Sequence, residues 1–285
     1  MVKKAKHRFP PGPRPRPAPP GSATRDASPE GRPREVGRAP SPFRPPARDV
    51  VALWGFHAVR EALRAGKRKP LDVYATPAAA ARLEPEIAAV GLAARVVENE
   101  VLDRRLGRDA VHQGVLLEAR PLPALDIADL AGPGRLVLVL DQITDPHNVG
   151  AILRTAAAFG TAGVVMTDRH APPLDGVLAK AASGALEHVP VVTIPNLARA
   201  LDELGTLGFW RVGLDAAGEV ELGEAHGTPP LALALGAEGA GLRRLTRERC
   251  DVVARLDMPG PIKSLNVSNA CAVALTLLRR SLTPF

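Results

Sequence analysis

The sequence predicts an α/β protein of two successive blocks behind a disordered basic arm, and three observations predict it. From about Val50 onward, short apolar runs alternate with helix-forming segments, as in a protein that lays helices on sheets. The runs at 136–140 and 231–235 are apolar throughout instead of alternating with polar residues, which marks strands of a parallel sheet buried on both faces. Residues 1–49 hold 13 of the 29 prolines, interleaved with arginine as in Pro13-Arg14-Pro15-Arg16-Pro17, and have few apolar side chains to bury.

Charge follows the same division. The 285 residues carry a net charge of +7, yet residues 1–49 hold 12 Lys/Arg against 4 Asp/Glu. The remainder, with 25 against 26, is close to neutral. The basic excess therefore belongs to the arm, for which two readings stand: salt-sensitive contact with RNA, or a solubilising tail that binds nothing. Two cysteines, Cys250 and Cys271, exclude a disulfide framework and an all-cysteine zinc site, and both read as core thiols. The seven histidines show no metal-type spacing with them, so no metal is expected. No apolar stretch approaches the roughly 18 residues of a membrane span, and the Pro/Arg-rich start lacks the apolar segment of a secretory signal. A cytoplasmic protein with no membrane partner is expected.

In the first block, strands are expected at 50–54, 71–75, 94–97 and 114–119. Helices are expected at 57–63, 78–90 and 100–106. Pro121, Pro123, Gly132, Pro133 and Gly134 bracket a linker, so the block ends near 122 and the linker spans 123–134. In the second block, 135–285, strands are expected at 135–140, 163–166, 189–194, 210–214, 231–235 and 252–256. Helices fit at 149–159, 176–186, 197–204, 242–249 and 266–280.

Three segments of the second block carry chemistry. In the first, a buried strand ends at Asp141, a polar loop follows, and Asn148 is placed to cap the next helix. Arg154 is the only charged residue between Asn148 and Thr167. A cation in so apolar a helix needs a structural carboxylate, an anionic ligand or a solvent-facing groove. In the second, the strand at 231–235 opens into Gly236-Ala237-Glu238-Gly239-Ala240-Gly241. That glycine spacing is not the dinucleotide fingerprint, and Glu238 would repel a pyrophosphate, so an NAD-dependent oxidoreductase is disfavoured. Glycines here allow the backbone to approach a ligand closely. In the third, Ser264, Asn266, Ser268 and Asn269 cluster around the start of the last helix, more polar groups than helix capping requires.

Together, D-P-x-N-x-G-x-I-x-R at 145–154, G-x-E-x-x-G at 236–241 and S-L-N-V-S at 264–268 closely resemble the SpoU (TrmH-like) class of SPOUT RNA 2′-O-ribose methyltransferases. The resemblance covers about residues 50–285. Gly55-Phe56-His57-Ala58-Val59-Arg60-Glu61-Ala62-Leu63 and His112-Gln113-Gly114-Val115 make residues 50–122 look like the family's L30e-like substrate-binding domain. That domain points to the branch that methylates a guanosine of 23S rRNA; a tRNA enzyme and a non-catalytic RNA-binding protein of the same fold are the alternatives. The resemblance implies a C-terminal SPOUT domain with a deep trefoil knot, a homodimer, and S-adenosyl-L-methionine as methyl donor without a metal. It implies cofactor binding by Gly236, Gly239, Leu256, Met258 and Leu265. It also ties Arg154, Asn148, Glu238, Asn266 and Ser268 to catalysis or substrate binding. Asp257 departs from the family pattern, standing where many relatives have proline. Family accounts make the motif-one arginine a base, but a guanidinium stays protonated. The expectation here is that Arg154 binds a phosphate and stabilises developing negative charge.

Overall fold

A computed structural model describes residues 43, 49–225 and 230–282, with side chains through 279. Apart from Phe43 and Asp49, the arm predicted at 1–49 lies outside the described residues.

The first block runs β1 (Val51–Trp54), α1 (Phe56–Ala65), β2 (Pro70–Ala75), α2 (Pro77–Ala89), β3 (Ala94–Val96), α3 (Asn99–Leu106) and β4 (Val115–Ala119). Its sheet has the order β1-β4-β2-β3, with β4 antiparallel to both neighbours and β3 parallel to β2. The start and stop of these helices have local causes. Thr76 accepts the Ala79 N–H at 3.4 Å with Pro77 in the first turn of α2, and α1 ends at Gly66 in the left-handed region. Helix α1 buries Phe56, Ala58, Val59, Ala62 and Leu63, the face its spacing predicts.

The second block runs β5 (Leu136–Asp141), α4 (Pro146–Ala158), β6 (Gly163–Thr167), α5 (Gly176–Ala182), β7 (Val191–Ile194), α6 (Leu197–Thr206), β8 (Trp210–Leu214), β9 (Val220–Glu221), β10 (Leu231–Gly236), α7 (Arg244–Glu248), β11 (Val252–Arg255) and α8 (Val267–Leu282). Seven parallel strands lie in the order β7-β6-β5-β10-β8-β11-β9. Both faces are covered, as the unbroken apolar runs require. Leu136, Leu138 and Leu140 join the core that contains Val149, Ile152, Leu153 and residues of α5 and α8. Val137 and Val139 join the core formed with Leu201 and Leu204 of α6. No helix among the described residues is long and apolar enough to cross a membrane.

Several expectations need correction. Asp145, not Asn148, caps α4: its carboxylate accepts the His147 N–H at 3.0 Å, and Pro146 occupies the first turn, where its missing N–H costs nothing. The helix expected at 176–186 breaks after Ala182, because Ser183 and Gly184 take left-handed conformations. A side chain on Gly184 would strike Glu61 of the first block. The helix expected at 242–249 shortens to α7, and β9 was missed because two residues leave no periodicity to detect. The linker at 123–134 contains a 3-10 turn, Ile127–Leu130, whose apolar side chains are buried against the second sheet.

The two blocks share one core. Phe56, Val59 and Ala62 of α1 lie in the same apolar cluster as Leu178, Ala182 and Leu186. The Trp54 ring packs on the backbone of Gly176, where any β-carbon would collide with it. Arg68 and Glu187, each 2% exposed at the side chain, pair across this junction at 2.7 Å.

Candidate active site

The site forms at the carboxyl ends of the central strands, where loops are free to carry ligands in an open α/β sheet. Strand pairing sets Gly236 of β10 beside Asp141 of β5. The chain leaving β5 enters α4 and displays Asn148 in its first turn. The chain leaving β10 folds into a tight turn closed by the Gly241 N–H donating to the Ala237 carbonyl at 2.9 Å. A β-carbon on Gly236 would lie 2.5 Å from the Leu242 nitrogen, so only glycine fits there. This turn carries Glu238.

The third contributor is the start of α8. The Asn266 side-chain oxygen Oδ1 caps the helix, accepting from the Ser268 N–H at 3.0 Å and the Ser268 hydroxyl at 2.5 Å. Its amide nitrogen is thereby left free to donate in the other direction, to Asn148 Oδ1 at 2.8 Å and to Glu238 Oε1 at 2.5 Å. Glu238 Oε1 also accepts from the Val267 N–H at 3.2 Å and from Asn148 Nδ2 at 3.4 Å. Asn148, Glu238, Asn266 and Ser268 thus form one hydrogen-bonded group drawn from the first turn of α4, the turn after β10 and the start of α8.

Arg154 is not part of it. Six residues beyond Asn148, it stands about 9 Å further along the helix axis, exposed and without an ion pair or hydrogen bond among the described residues. No structural carboxylate among the described residues pairs with this arginine, which favours the anionic ligand or the groove.

Beside the group lies a cavity of about 240 Å³. Gly236, Gly239, Leu256, Met258 and Leu265 all line it, with Leu235 and Val267 adding apolar wall. Glu238, Asp215 and Lys263 supply its charged lining. Gly239 adopts φ +77° with open space where a side chain would project. Apolar walls suit a heteroaromatic ring, and carboxylates suit a cationic group; S-adenosylmethionine presents both, so the lining fits it.

Asp215, Arg243, Arg247 and Lys263 escaped the reading of the sequence. Burial would raise the Asp215 carboxyl, but the N–H groups of Ala217 and Leu242 and the Arg247 guanidinium together hold it below the ordinary carboxylate range. Arg243 donates its backbone N–H and its side chain to the fully buried Asp141, at 2.9 and 2.5 Å. A carboxylate directly after a strand was the available signal for Asp215. Among the described residues, no cluster of three or more His, Cys, Asp or Glu groups is arranged to hold a metal. Burial pushes the thiols of Cys250 and Cys271 up to about 12.

Comparison with known proteins agrees with this geometry. The model of the SpoU rRNA methylase family matches residues 135–276, and that of the RNA 2′-O ribose methyltransferase substrate-binding domain matches 52–125. A 23S rRNA (guanosine-2′-O-)-methyltransferase RlmB from Ralstonia nicotianae is 41% identical over 243 residues, spanning 81% of this chain and 97% of that protein. An RlmB from Pseudomonas putida is 38% identical over 236 residues, 78% of this chain and 93% of its own. Among solved structures, the SpoU methyltransferase AviRb from Streptomyces viridochromogenes, in complex with AdoMet, superposes with a TM-score of 0.71. It is 22% identical, with 81% of this chain and 90% of that one covered, a likeness that establishes the SPOUT fold. With three motifs gathered in one site and relatives matching along almost their whole length, the chain belongs to the SpoU rRNA methylase family.

Proposed function

We propose that this protein methylates a ribose 2′-hydroxyl of RNA, a guanosine of 23S rRNA, using S-adenosylmethionine. The observation that carries the reading is the meeting of Asn148, Glu238 and Asn266 beside a cavity lined by Gly236, Gly239, Leu256, Met258 and Leu265. The relatives named for 23S rRNA guanosine support the substrate. The bound donor supplies an electrophilic methyl group. The chain's own residues must orient the ribose, stabilise charge on its 2′-oxygen and let the proton leave.

Asn148 and Asn266 place amide groups beside the Glu238 carboxylate, which they hold in one orientation by charge-assisted hydrogen bonds. Ser268 acts through Asn266. The Arg154 guanidinium, without a partner of its own among the described residues, binds the phosphate next to the reacting ribose and stabilises the developing alkoxide. The proton passes to a substrate phosphate or to water.

In the same proposal, residues 50–122 form an L30e-like domain that grips RNA, 123–134 connect it, and 135–285 form the SPOUT domain with its trefoil knot. The chain works as a homodimer in the cytoplasm, with Arg154 serving an active site at the subunit interface. The exposed Val273 on α8 and Ile262 and Leu265 just before it support that interface.

The test uses purified protein, tritiated S-adenosylmethionine, and separately prepared unmodified 23S rRNA and tRNA. Label in one alkali-resistant 2′-O-methyl dinucleotide of 23S rRNA, at a guanosine, is the expected result. Label in tRNA alone would overturn the substrate, and failure to bind the cofactor would overturn the enzyme reading.

A further inference from the structure

We infer that Asp215 is a positioning residue that holds one wall of the cofactor cavity; this rests on the reading of that cavity as the S-adenosylmethionine site. The glycine-rich turn leaves β10, the central strand, and β5 and β8 flank that strand on either side. Each flanking strand ends in, or runs directly into, a carboxylate that grips the far end of the turn. On the β5 side, Asp141 takes the Arg243 N–H and guanidinium. On the β8 side, Asp215 Oδ2 accepts the Leu242 N–H at 3.1 Å and Arg247 Nη2 at 2.8 Å, while Oδ1 accepts the Ala217 N–H at 2.9 Å.

Asp215 is the one of the two that also lines the cavity. Gly241, at φ +65°, packs so closely on it that a β-carbon there would sit 2.6 Å from Oδ2. A carboxylate offers about four acceptor sites, and three donors already occupy Asp215. Most of its hydrogen-bonding capacity therefore goes to holding the turn and the chain beside it, whatever its charge adds to the lining. The turn stays tied at its tip by Glu238 and just beyond its far end by Asp141, so losing Asp215 loosens the wall between them, which includes Gly239, while leaving the Glu238–Asn266 and Asp141–Arg243 contacts in place.

Replacing Asp215 by asparagine removes one acceptor oxygen and the charge, and three donors cannot all be served by the oxygen that remains. For wild type and Asp215→Asn, KM for S-adenosylmethionine and kcat would be measured on RNA. Affinity for S-adenosylhomocysteine would be measured by calorimetry, and amide exchange over 237–243 without ligand. Hydrogen bonds to charged groups are strong enough for a rise in KM of roughly tenfold or more. The expectation is such a rise with kcat within about threefold, an equal loss of S-adenosylhomocysteine affinity, and faster exchange in the turn. A fall in kcat at unchanged KM would mean only fewer folded molecules and would overturn the inference, as would unchanged affinity and exchange.

Should Asp215→Asn not fold, Arg247→Gln decides: a smaller rise in the same KM supports the inference, and an unchanged KM overturns it. Wild-type protein that binds no S-adenosylhomocysteine would overturn the cofactor reading and the inference with it. Wild-type binding matched by the variant would overturn the inference alone.

Discussion

Arg154 is the residue whose chemistry is most exposed to test. It is solvent-facing and makes no pair among the described residues, so its removal leaves no buried charge behind. Arg154→Ala should therefore keep the wild-type denaturation midpoint while methyl transfer falls roughly 100- to 1000-fold, the usual loss when a group stabilising transition-state charge is deleted. A near-normal rate with full RNA binding would remove it from the mechanism. The cysteines make the opposite case. With both thiols pushed up to about 12 by burial, almost no thiolate exists at pH 8. Cys271 is the core thiol expected of it, while Cys250 is only partly buried; a thiol reagent should therefore react with Cys271 only after denaturation, and fast reaction of Cys271 in the native state would contradict its core assignment. Asn148 shows the limit of residue-level reasoning. Its position just before an apolar helix reads as a cap, but Asp145 with Pro146 takes that role and frees the Asn148 amide for Glu238 and Asn266.

Among the elements, α4 is held closely by its neighbour α5. It packs against α5 through Gly150, where a β-carbon would collide with Ala181 and lie 2.9 Å from the Ala182 nitrogen. Gly150→Ala gains helix propensity of about 1 kcal/mol and loses about 1–3 kcal/mol to overpacking against backbone that has nowhere to go. The clash wins, so urea denaturation should show net destabilisation; a more stable variant would mean that α5 moves aside. Helix and strand interiors were legible in the sequence because their periodicity or unbroken apolarity reflects burial. The ends were less so. Helix α5 stops at the left-handed Ser183 and Gly184, and the further demand that Gly184 stay small because it packs on Glu61, more than a hundred residues away in the chain, is one no local pattern announces.

At the scale of the molecule, the junction between blocks decides stability. The shared apolar cluster and the buried Arg68–Glu187 pair couple the two sheets, so thermal unfolding should give one transition with equal calorimetric and van't Hoff enthalpies. Two resolved transitions would show that the blocks melt independently. Glu187→Gln removes the carboxylate paired with the buried Arg68 and leaves only the nearby Asp175 to offset that charge, and breaking such a pair costs up to about 3–5 kcal/mol. The midpoint of denaturation should fall accordingly, and an unchanged midpoint would mean that water reaches the junction.

By itself the sequence determined the division into a proline-rich arm and two α/β blocks, the parallel sheet and its buried strands, and the three motifs that identify the family. These are properties of composition, periodicity and local spacing, which each stretch of chain carries alone. Only the tertiary structure decided which motif side chains meet. Asn148, Glu238 and Asn266 come together because β5 and β10 pair in register and α8 begins beside the turn that β10 feeds. It alone assigned Asp141 and Asp215 to the task of holding that turn. A carboxylate after an apolar strand has many uses, and its partners are chosen by the neighbouring strands.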